Sequence, residues 1–213
     1  MKPADDPSRD YRALVRDGYD RCVDEFNAAR ARESADVLAP LIERLAPGAC
    51  VLDLGCGGGV PIASTLARSC HVTGVDISRA QIERARAQVP AATFIRSDMT
   101  SCRFDAGSFD AVVSLYALFH VPREEHRRLI GDIHSWLAPG GYLMASFATH
   151  DEPAYTEEFF GVEMFWSNYG LDEYVRMIEE CGFELLEQHA LSHGYADADH
   201  PPESHPLLLA QRR

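Results

Sequence analysis

The stretch VLDLGCGGG, residues 51–59, places an acidic side chain, Asp53, just ahead of four glycines and one cysteine. Glycine costs conformational entropy wherever it is ordered, so a run of this kind marks a turn where something must approach bare backbone. Two further carboxylates, Asp76 and Asp98, stand at the ends of the apolar stretches HVTGVD and TFIRSD. A carboxylate at such an end can accept hydrogen bonds from two ribose hydroxyls, as Asp76 could, or from an adenine amino group, as Asp98 could. Ile77 or Met99 would then pack on the base, beside Ser97. A fourth apolar run, FDAVVSLYALFHV, carries Tyr116 and His120 just past its end. A histidine there could take a proton or orient a substrate, and a tyrosine could line the pocket.

The glycine spacing limits what the turn can hold. Gly55, Gly57 and Gly59 read G-x-G-x-G, and Val60 stands where the dinucleotide fingerprint G-x-G-x-x-G requires its third glycine. No Lys-Ser/Thr pair follows, so the turn is not a P-loop. The acidic residue after the second strand does not by itself separate the cofactor classes, because nicotinamide dinucleotide folds use one too. A nucleotide-cofactor oxidoreductase and a non-catalytic cofactor-binding protein therefore remain alternatives at this point.

Strands must present these residues at one edge. The chain alternates strand-like and helix-like stretches after a helical opening over residues 9–45. The strands are expected at 50–54, 71–76, 93–97, 109–115, 142–148, 183–191 and 206–212. Alternation of this kind predicts βαβ units and a mainly parallel sheet with helices on both faces. Ser78 followed by Gln81 marks a helix start, as does Pro122. The last two strands, joined by a Pro-rich polar loop, fit an antiparallel hairpin. The expected fold is α/β and doubly wound, with a mainly parallel seven-stranded sheet, an antiparallel last strand and an N-terminal helical cap (1–45). The whole of 1–213 is expected to be one domain, in keeping with its length.

Composition removes other classes. The net charge of −13 argues against a nucleic-acid partner. No apolar run approaches the roughly 20 residues of a membrane span, and MKPADDPSRD has no signal-like apolar core. None of the six cysteines forms a C-x-x-C pair, which points to reduced thiols in a cytoplasm and to neither a disulfide framework nor a metal site. Arg123, Arg127 and Arg128 alternate with acids and read as a solvated helix face. His134 reads as structural, Glu163 and His150 as exposed charges, and His193, His200 and His205 as flanks of the Pro-rich loop.

In VLDLGCGGG (51–59), VTGVDIS (72–78), FIRSDMT (94–100), FDAVVSLYALFHVP (109–122) and WLAPGGYLMAS (136–146), in that order, the chain resembles the class I S-adenosylmethionine-dependent methyltransferases. The resemblance implies roles. Gly55 and Gly57, with Cys56 beside them, would face the methionine end of S-adenosylmethionine, and Asp53 would help to hold its amino group. Asp76 would bind the ribose, and Ile77, Ser97, Asp98 and Met99 would surround the adenine. Ser114 and Leu115 would lie near the sulfur, and Tyr11 and Tyr19 would close over it. His120 is the candidate base, with Tyr116 beside it. S-adenosylhomocysteine would be the product, and no metal is required.

The aromatic stretch THDEPAYTEEFFGVEMFWSNYG, residues 149–170, is long for a connection and is expected to form a substrate lid. Its candidate lining residues are Phe160, Met164, Trp166, Ser167 and Tyr169. EMFWSNY resembles a stretch that faces the acceptor in small bacterial methyltransferases. The acceptor is expected to be a small molecule, methylated at oxygen ahead of nitrogen.

Overall fold

The computed structural model describes residues 1–4, 9–30, 34–192 and 204–213. His193 and His200, named above, lie outside the described residues. In chain order the strands are β1 (Lys2–Pro3), β2 (Cys50–Leu54), β3 (His71–Asp76), β4 (Thr93–Arg96), β5 (Phe109–Ser114), β6 (Leu137–Ser146), β7 (Glu152–Phe159), β8 (Val162–Asn168), β9 (Phe183–Ser192) and β10 (Ser204–Arg212). The α-helices are α1 (Tyr11–Arg21), α2 (Val23–Arg30), α3 (Ala39–Ile42), α4 (Ile62–Leu66), α5 (Arg79–Gln88), α6 (His126–Trp136) and α7 (Leu171–Glu180).

Seven strands make one sheet in the order β4-β3-β2-β5-β6-β10-β9. Strands β4 through β6 run parallel, and β10 is antiparallel to both β6 and β9. The expected topology is thus present. Its central strands are covered on both faces, which is why they read as continuous apolar runs rather than alternating ones. Val51, Leu52 and Leu54 of β2 are wholly buried, as are Ala111, Val112 and Val113 of β5. One face packs on α6 and α7 through Leu129, Ile133, Tyr174 and Ile178, and the other on α4 and α5 through Ala63, Leu66, Ile82 and Ala85.

The strand order reverses between β2 and β5, whose carboxyl ends open a crevice. Gly55 fits there because a Cβ on it would lie 2.2 Å from the Ala117 Cβ, in the turn after β5. Its φ of +77° also suits glycine. The two turns that flank the crevice therefore touch across Gly55.

Two expectations are corrected. The region 149–170 is not an open loop: β7 and β8 form an antiparallel hairpin, which β1 extends to a three-stranded sheet. Its turn places Phe160 at φ +49° and Gly161 at φ +74°. The helical opening is also broken into pieces. Asp10 caps α1 by accepting from the Ala13 N–H at 2.9 Å, the chain bends at Cys22, and α2 follows. Together α1, α2 and the hairpin build a third core from Val15, Cys22, Phe26, Val162, Met164 and Phe165.

Candidate functional site

A cleft lies between the sheet edge and the helices α1 and α2, with about 840 Å³ of non-atom space when its open mouth is counted. From the sheet side it is lined by Asp53, Gly55, Cys56, Gly57, Asp76, Ile77, Ser97, Met99, Leu115, Tyr116 and His120. All eleven are positions that the sequence singles out. The cap side adds Tyr19, also expected, together with Val15, Phe26, Asn27 and Arg30, which were not.

Electrostatics divide the cleft. Asp53 is almost fully buried, and its Oδ2 has no hydrogen-bond partner among the described residues. Burial pushes its carboxyl up to about 7, nearby Asp76 adds to the rise, and Arg30 opposes it. A buried carboxylate left in this state calls for a cation. Arg30 is a guanidinium in the same cleft, 5.2 Å from the Phe26 ring and 5.1 Å from the Tyr116 ring. A buried acid that calls for a cation and a guanidinium thus face the same cleft.

Asp76 is held differently. Its Oδ2 accepts the Gly57 N–H and its Oδ1 the Ser78 N–H, each at 2.9 Å. These bonds favour the charged form, but burial prevails and raises the carboxyl to about 6. Each oxygen keeps a second lone pair for a hydroxyl in the cleft. At Gly57, with φ +51°, an added Cβ would meet only the Gln81 Oε1, 4.0 Å away, so space lies open before the backbone here. Gln81 Nε2 is buried without a partner among the described residues, while its Oε1 accepts from Asn27 Nδ2 at 3.0 Å. Only half of the Ser78–Gln81 cap forms, with Ser78 Oγ accepting the Gln81 N–H at 3.1 Å. The cap is tied down beside it, where Asp20 accepts from Ser78 Oγ at 2.6 Å and from the Ala80 N–H at 2.9 Å.

His120 stands in the wall facing α1. Its Nδ1 is 2.7 Å from the Phe165 carbonyl oxygen and its Nε2 is 2.8 Å from the Tyr19 hydroxyl. Burial lowers the imidazole to about 4, against the lift from the Phe165 carbonyl. The ring is therefore neutral at pH 7, but its lowered basicity makes it a weak proton acceptor. Tyr116 holds φ +57°, unusual for a bulky residue, while its N–H donates to Ser146 Oγ at 2.6 Å. His205 packs against it, with ring centres 5.3 Å apart.

Several expected positions lie elsewhere. Asp98 does not line the cleft: its Oδ1 accepts from Thr100 N and Oγ1, and its Oδ2 accepts from Arg12 Nε at 2.7 Å. Arg12 also pairs with Glu125, so it bridges the cap to the body. Tyr11 is stacked on Phe165 at 4.5 Å between ring centres, and Ser114 is buried with its hydroxyl on the Leu54 carbonyl. None of the five lid residues lines the cleft. Met164 is wholly buried where a Cβ on Gly18 of α1 would meet its Cε at 2.9 Å. Phe160 packs edge-on to Phe26 and Phe159. Ser167 Oγ accepts the Arg123 N–H at 3.1 Å, and Tyr169 lies under the Arg123 guanidinium. Trp166 comes nearest, 5.6 Å from the His120 ring, and stacks on Tyr155. The hairpin thus supports α1 from outside, and α1 and α2 form the wall that the hairpin was expected to form. Phe26 and Arg30 could have been found from their spacing, since both fall one helical turn apart beyond Tyr19 and Cys22.

Other expectations concern the surface. Arg127 and Arg128 pair with Glu180 and Asp132, and Glu163 pairs with Arg9. His134 packs edge-on to Phe183 at 5.1 Å. Among the described residues there is no cluster suited to a metal ion and no helix long and apolar enough to cross a membrane.

Residues 51–141 match a family model described as a methyltransferase domain. Over 158 residues the chain is 32% identical to the 24-methylenesterol C-methyltransferase 2 of rice, covering 67% of this chain and 43% of that protein. The first curated relatives are thus spanned over less than half their length. The magnesium protoporphyrin IX methyltransferase of Synechocystis PCC 6803, solved with bound S-adenosylhomocysteine, is 20% identical and superposes with a TM-score of 0.74 over 96% of this chain and 100% of that one. The 1,6-didemethyltoxoflavin-N1-methyltransferase of Burkholderia thailandensis is 19% identical and superposes with a TM-score of 0.75 over 99% and 93% of the two chains. At these identities the two solved structures speak for the fold. The names of the matched proteins span carbon and nitrogen acceptors.

Proposed function

We propose, from the premise that residues 51–141 form a class I S-adenosylmethionine-dependent methyltransferase domain, that this chain methylates a small-molecule acceptor, at oxygen ahead of nitrogen. The observation that carries the reading is the unpartnered, buried Asp53 Oδ2 sharing a cleft with Arg30 and Asp76. These residues fit S-adenosylmethionine. Asp53 would take the ammonium of its methionine end, Arg30 the carboxylate, and Asp76 the ribose hydroxyls, while Ile77, Ser97 and Met99 would border the adenine. When bound, the cofactor supplies an activated methyl group, transferred by in-line displacement.

The chain's own part is then mostly placement. Aligning two reactants can lower a barrier by about 7–11 kcal/mol in favourable cases. The acceptor would lie against Val15, Tyr19, Phe26, Tyr116 and His120, a wall mainly apolar and aromatic. That composition and the net charge of −13 support a small planar molecule over a nucleic acid. Six unpaired cysteines support a cytoplasmic setting. Against a dinucleotide oxidoreductase stands the helix after the glycine turn. It spans only five residues, Ile62–Leu66, too short to offer a strong dipole to a pyrophosphate.

The test is a titration with S-adenosylhomocysteine and with NADH, followed by transfer from methyl-labelled cofactor to phenols, amines and cell extract. Binding of the homocysteine form and a labelled small molecule support the reading. Binding of NADH alone, or cofactor binding with no labelled product from any source, refutes it.

A further inference from the structure

A hydrogen-bond chain in the wall of the cleft has a direction that its partners fix. His120 Nδ1 faces the Phe165 carbonyl oxygen at 2.7 Å. A carbonyl only accepts, so Nδ1 carries the ring's proton. The ring is neutral, so Nε2 bears a lone pair, and the Tyr19 hydroxyl 2.8 Å away donates to it. The Tyr19 proton is thereby committed. What its oxygen offers to any other polar group is lone pairs. The groups packed on the imidazole are Tyr19 from α1, the Phe165 carbonyl and the Trp166 ring from β8, and Phe119 from its own turn.

The same construction occurs a second time, deep in the protein. His126 Nε2 faces the Val121 carbonyl at 2.9 Å, and its Nδ1 faces the Tyr174 hydroxyl at 2.9 Å. There too the carbonyl fixes the ring proton and the tyrosine must donate. The Tyr174 oxygen in turn accepts an N–H, from Tyr169 at 3.2 Å. The buried copy shows what an oxygen held in this way does: it accepts from an N–H. In the cleft copy, both Tyr19 and His120 line the cavity.

We propose that the Tyr19 oxygen reads the methyl acceptor by accepting a hydrogen bond from the O–H or N–H of the nucleophile itself, so that the site selects planar protic acceptors of the phenol or aromatic-amine class over carboxylates. A carboxylate has no proton to give and would set its lone pairs against those of Tyr19. The aromatic faces of Phe26 and Tyr116, on the same cleft, suit a flat ring. His120 is then a positioning residue that fixes the Tyr19 proton, in place of the general base that its position after β5 suggested. The proposal rests on the methyltransferase reading above, and its test separates the two.

The test uses the full chain loaded with S-adenosylhomocysteine, with phenol and benzoate as probes of like shape. Phenol should bind more tightly than benzoate. Tyr19→Phe, which keeps the ring and its packing, should weaken phenol by about 3- to 10-fold, the worth of one hydrogen bond, and leave benzoate no weaker. Nitrogen-15 spectra at pH 7, taken with and without S-adenosylhomocysteine, should show His120 protonated at Nδ1 and bare at Nε2. In Tyr19→Phe the His120 Nε2 resonance should move while those of His126 stay. Protonation at Nε2, an unmoved resonance, or phenol binding indifferent to Tyr19→Phe overturns the proposal. Failure of wild type to bind S-adenosylhomocysteine overturns the cofactor reading instead, and the nitrogen-15 spectra of the free protein still decide this one.

Discussion

Asp53→Asn should stabilise the free protein and damage its binding site together. The carboxyl is raised from 3.8 to about 7, chiefly by burial. A folded-state value above the unfolded one means that the folded protein holds more protons between those limits, so stability falls as pH rises from about 4 to 7. Above that window the ionised group withholds about 4 kcal/mol from the folded state. A neutral asparagine of the same shape removes the penalty. For a chain of this length each kcal/mol moves the melting temperature by about 2–4 °C, so free Asp53→Asn should melt about 10 °C above wild type at pH 8. At pH 5 the gain should shrink to roughly a third, because the unfolded carboxyl is then little more than one pH unit above its own value. Losing a charged hydrogen bond to the ammonium costs about 1.5–3 kcal/mol, so S-adenosylhomocysteine should bind about 10- to 100-fold more weakly. Thermal melts at pH 5 and 8, with and without S-adenosylhomocysteine, read both effects. A variant that melts at or below wild type at pH 8, or that binds S-adenosylhomocysteine as wild type does, refutes the reasoning.

Arg30→Met should weaken S-adenosylhomocysteine about 10-fold by calorimetry and leave 5′-methylthioadenosine, which lacks the amino-acid end, unchanged. Gly55→Ala should cost about 3 kcal/mol or more in urea unfolding, since its Cβ would lie 2.2 Å from that of Ala117 at a φ of +77°. Gly131→Ala, on α6 with nothing within 4 Å of the added atom, should instead gain about 0.5–1 kcal/mol. In the Asp53→Asn background, His120 and His126 dominate the acid limb. Both are held near 4 by burial, below their ordinary 6.5. The unfolded chain then binds more protons between pH 4 and 6.5, so stability should rise across that window by about 3 kcal/mol after the opposing effect of Asp76. Wild type should be nearly flat over the same range, because Asp53 opposes the histidines.

The sheet side of the cleft was legible in the sequence because strand ends fix it. Asp53, Asp76, Gly55 and Gly57 follow short apolar runs, and parallel strands present their carboxyl ends together. Asp98 has the same kind of position, yet its carboxylate is occupied by Arg12, from a helix 86 residues earlier. No local pattern carries a partner at that separation. The residues expected to form a lid do not line the cleft, for a different reason. The stretch EPAYTEEFFGVEMFWSN reads as an aromatic loop because its turn, Phe160-Gly161, lacks the Asn-Gly or Asp-Gly pair that marks a tight hairpin. Its aromatic residues suggest a pocket, but they form a private core with α1 and α2, as Met164 against Gly18 and Tyr11 on Phe165 show. The direction of the Tyr19–His120 bond depends on the Phe165 carbonyl, a backbone atom whose place no side-chain pattern records.

In the proposed reading Asp53, Arg30 and Asp76 together hold S-adenosylmethionine, and a crystal structure with S-adenosylhomocysteine is the sharpest test. The ligand's ammonium should sit on Asp53 Oδ2, its carboxylate on Arg30, its ribose hydroxyls on Asp76, and its sulfur should turn toward Tyr19 and His120. A ligand bound elsewhere, or one seated in the cleft with Asp53 Oδ2 still unpartnered, would contradict it.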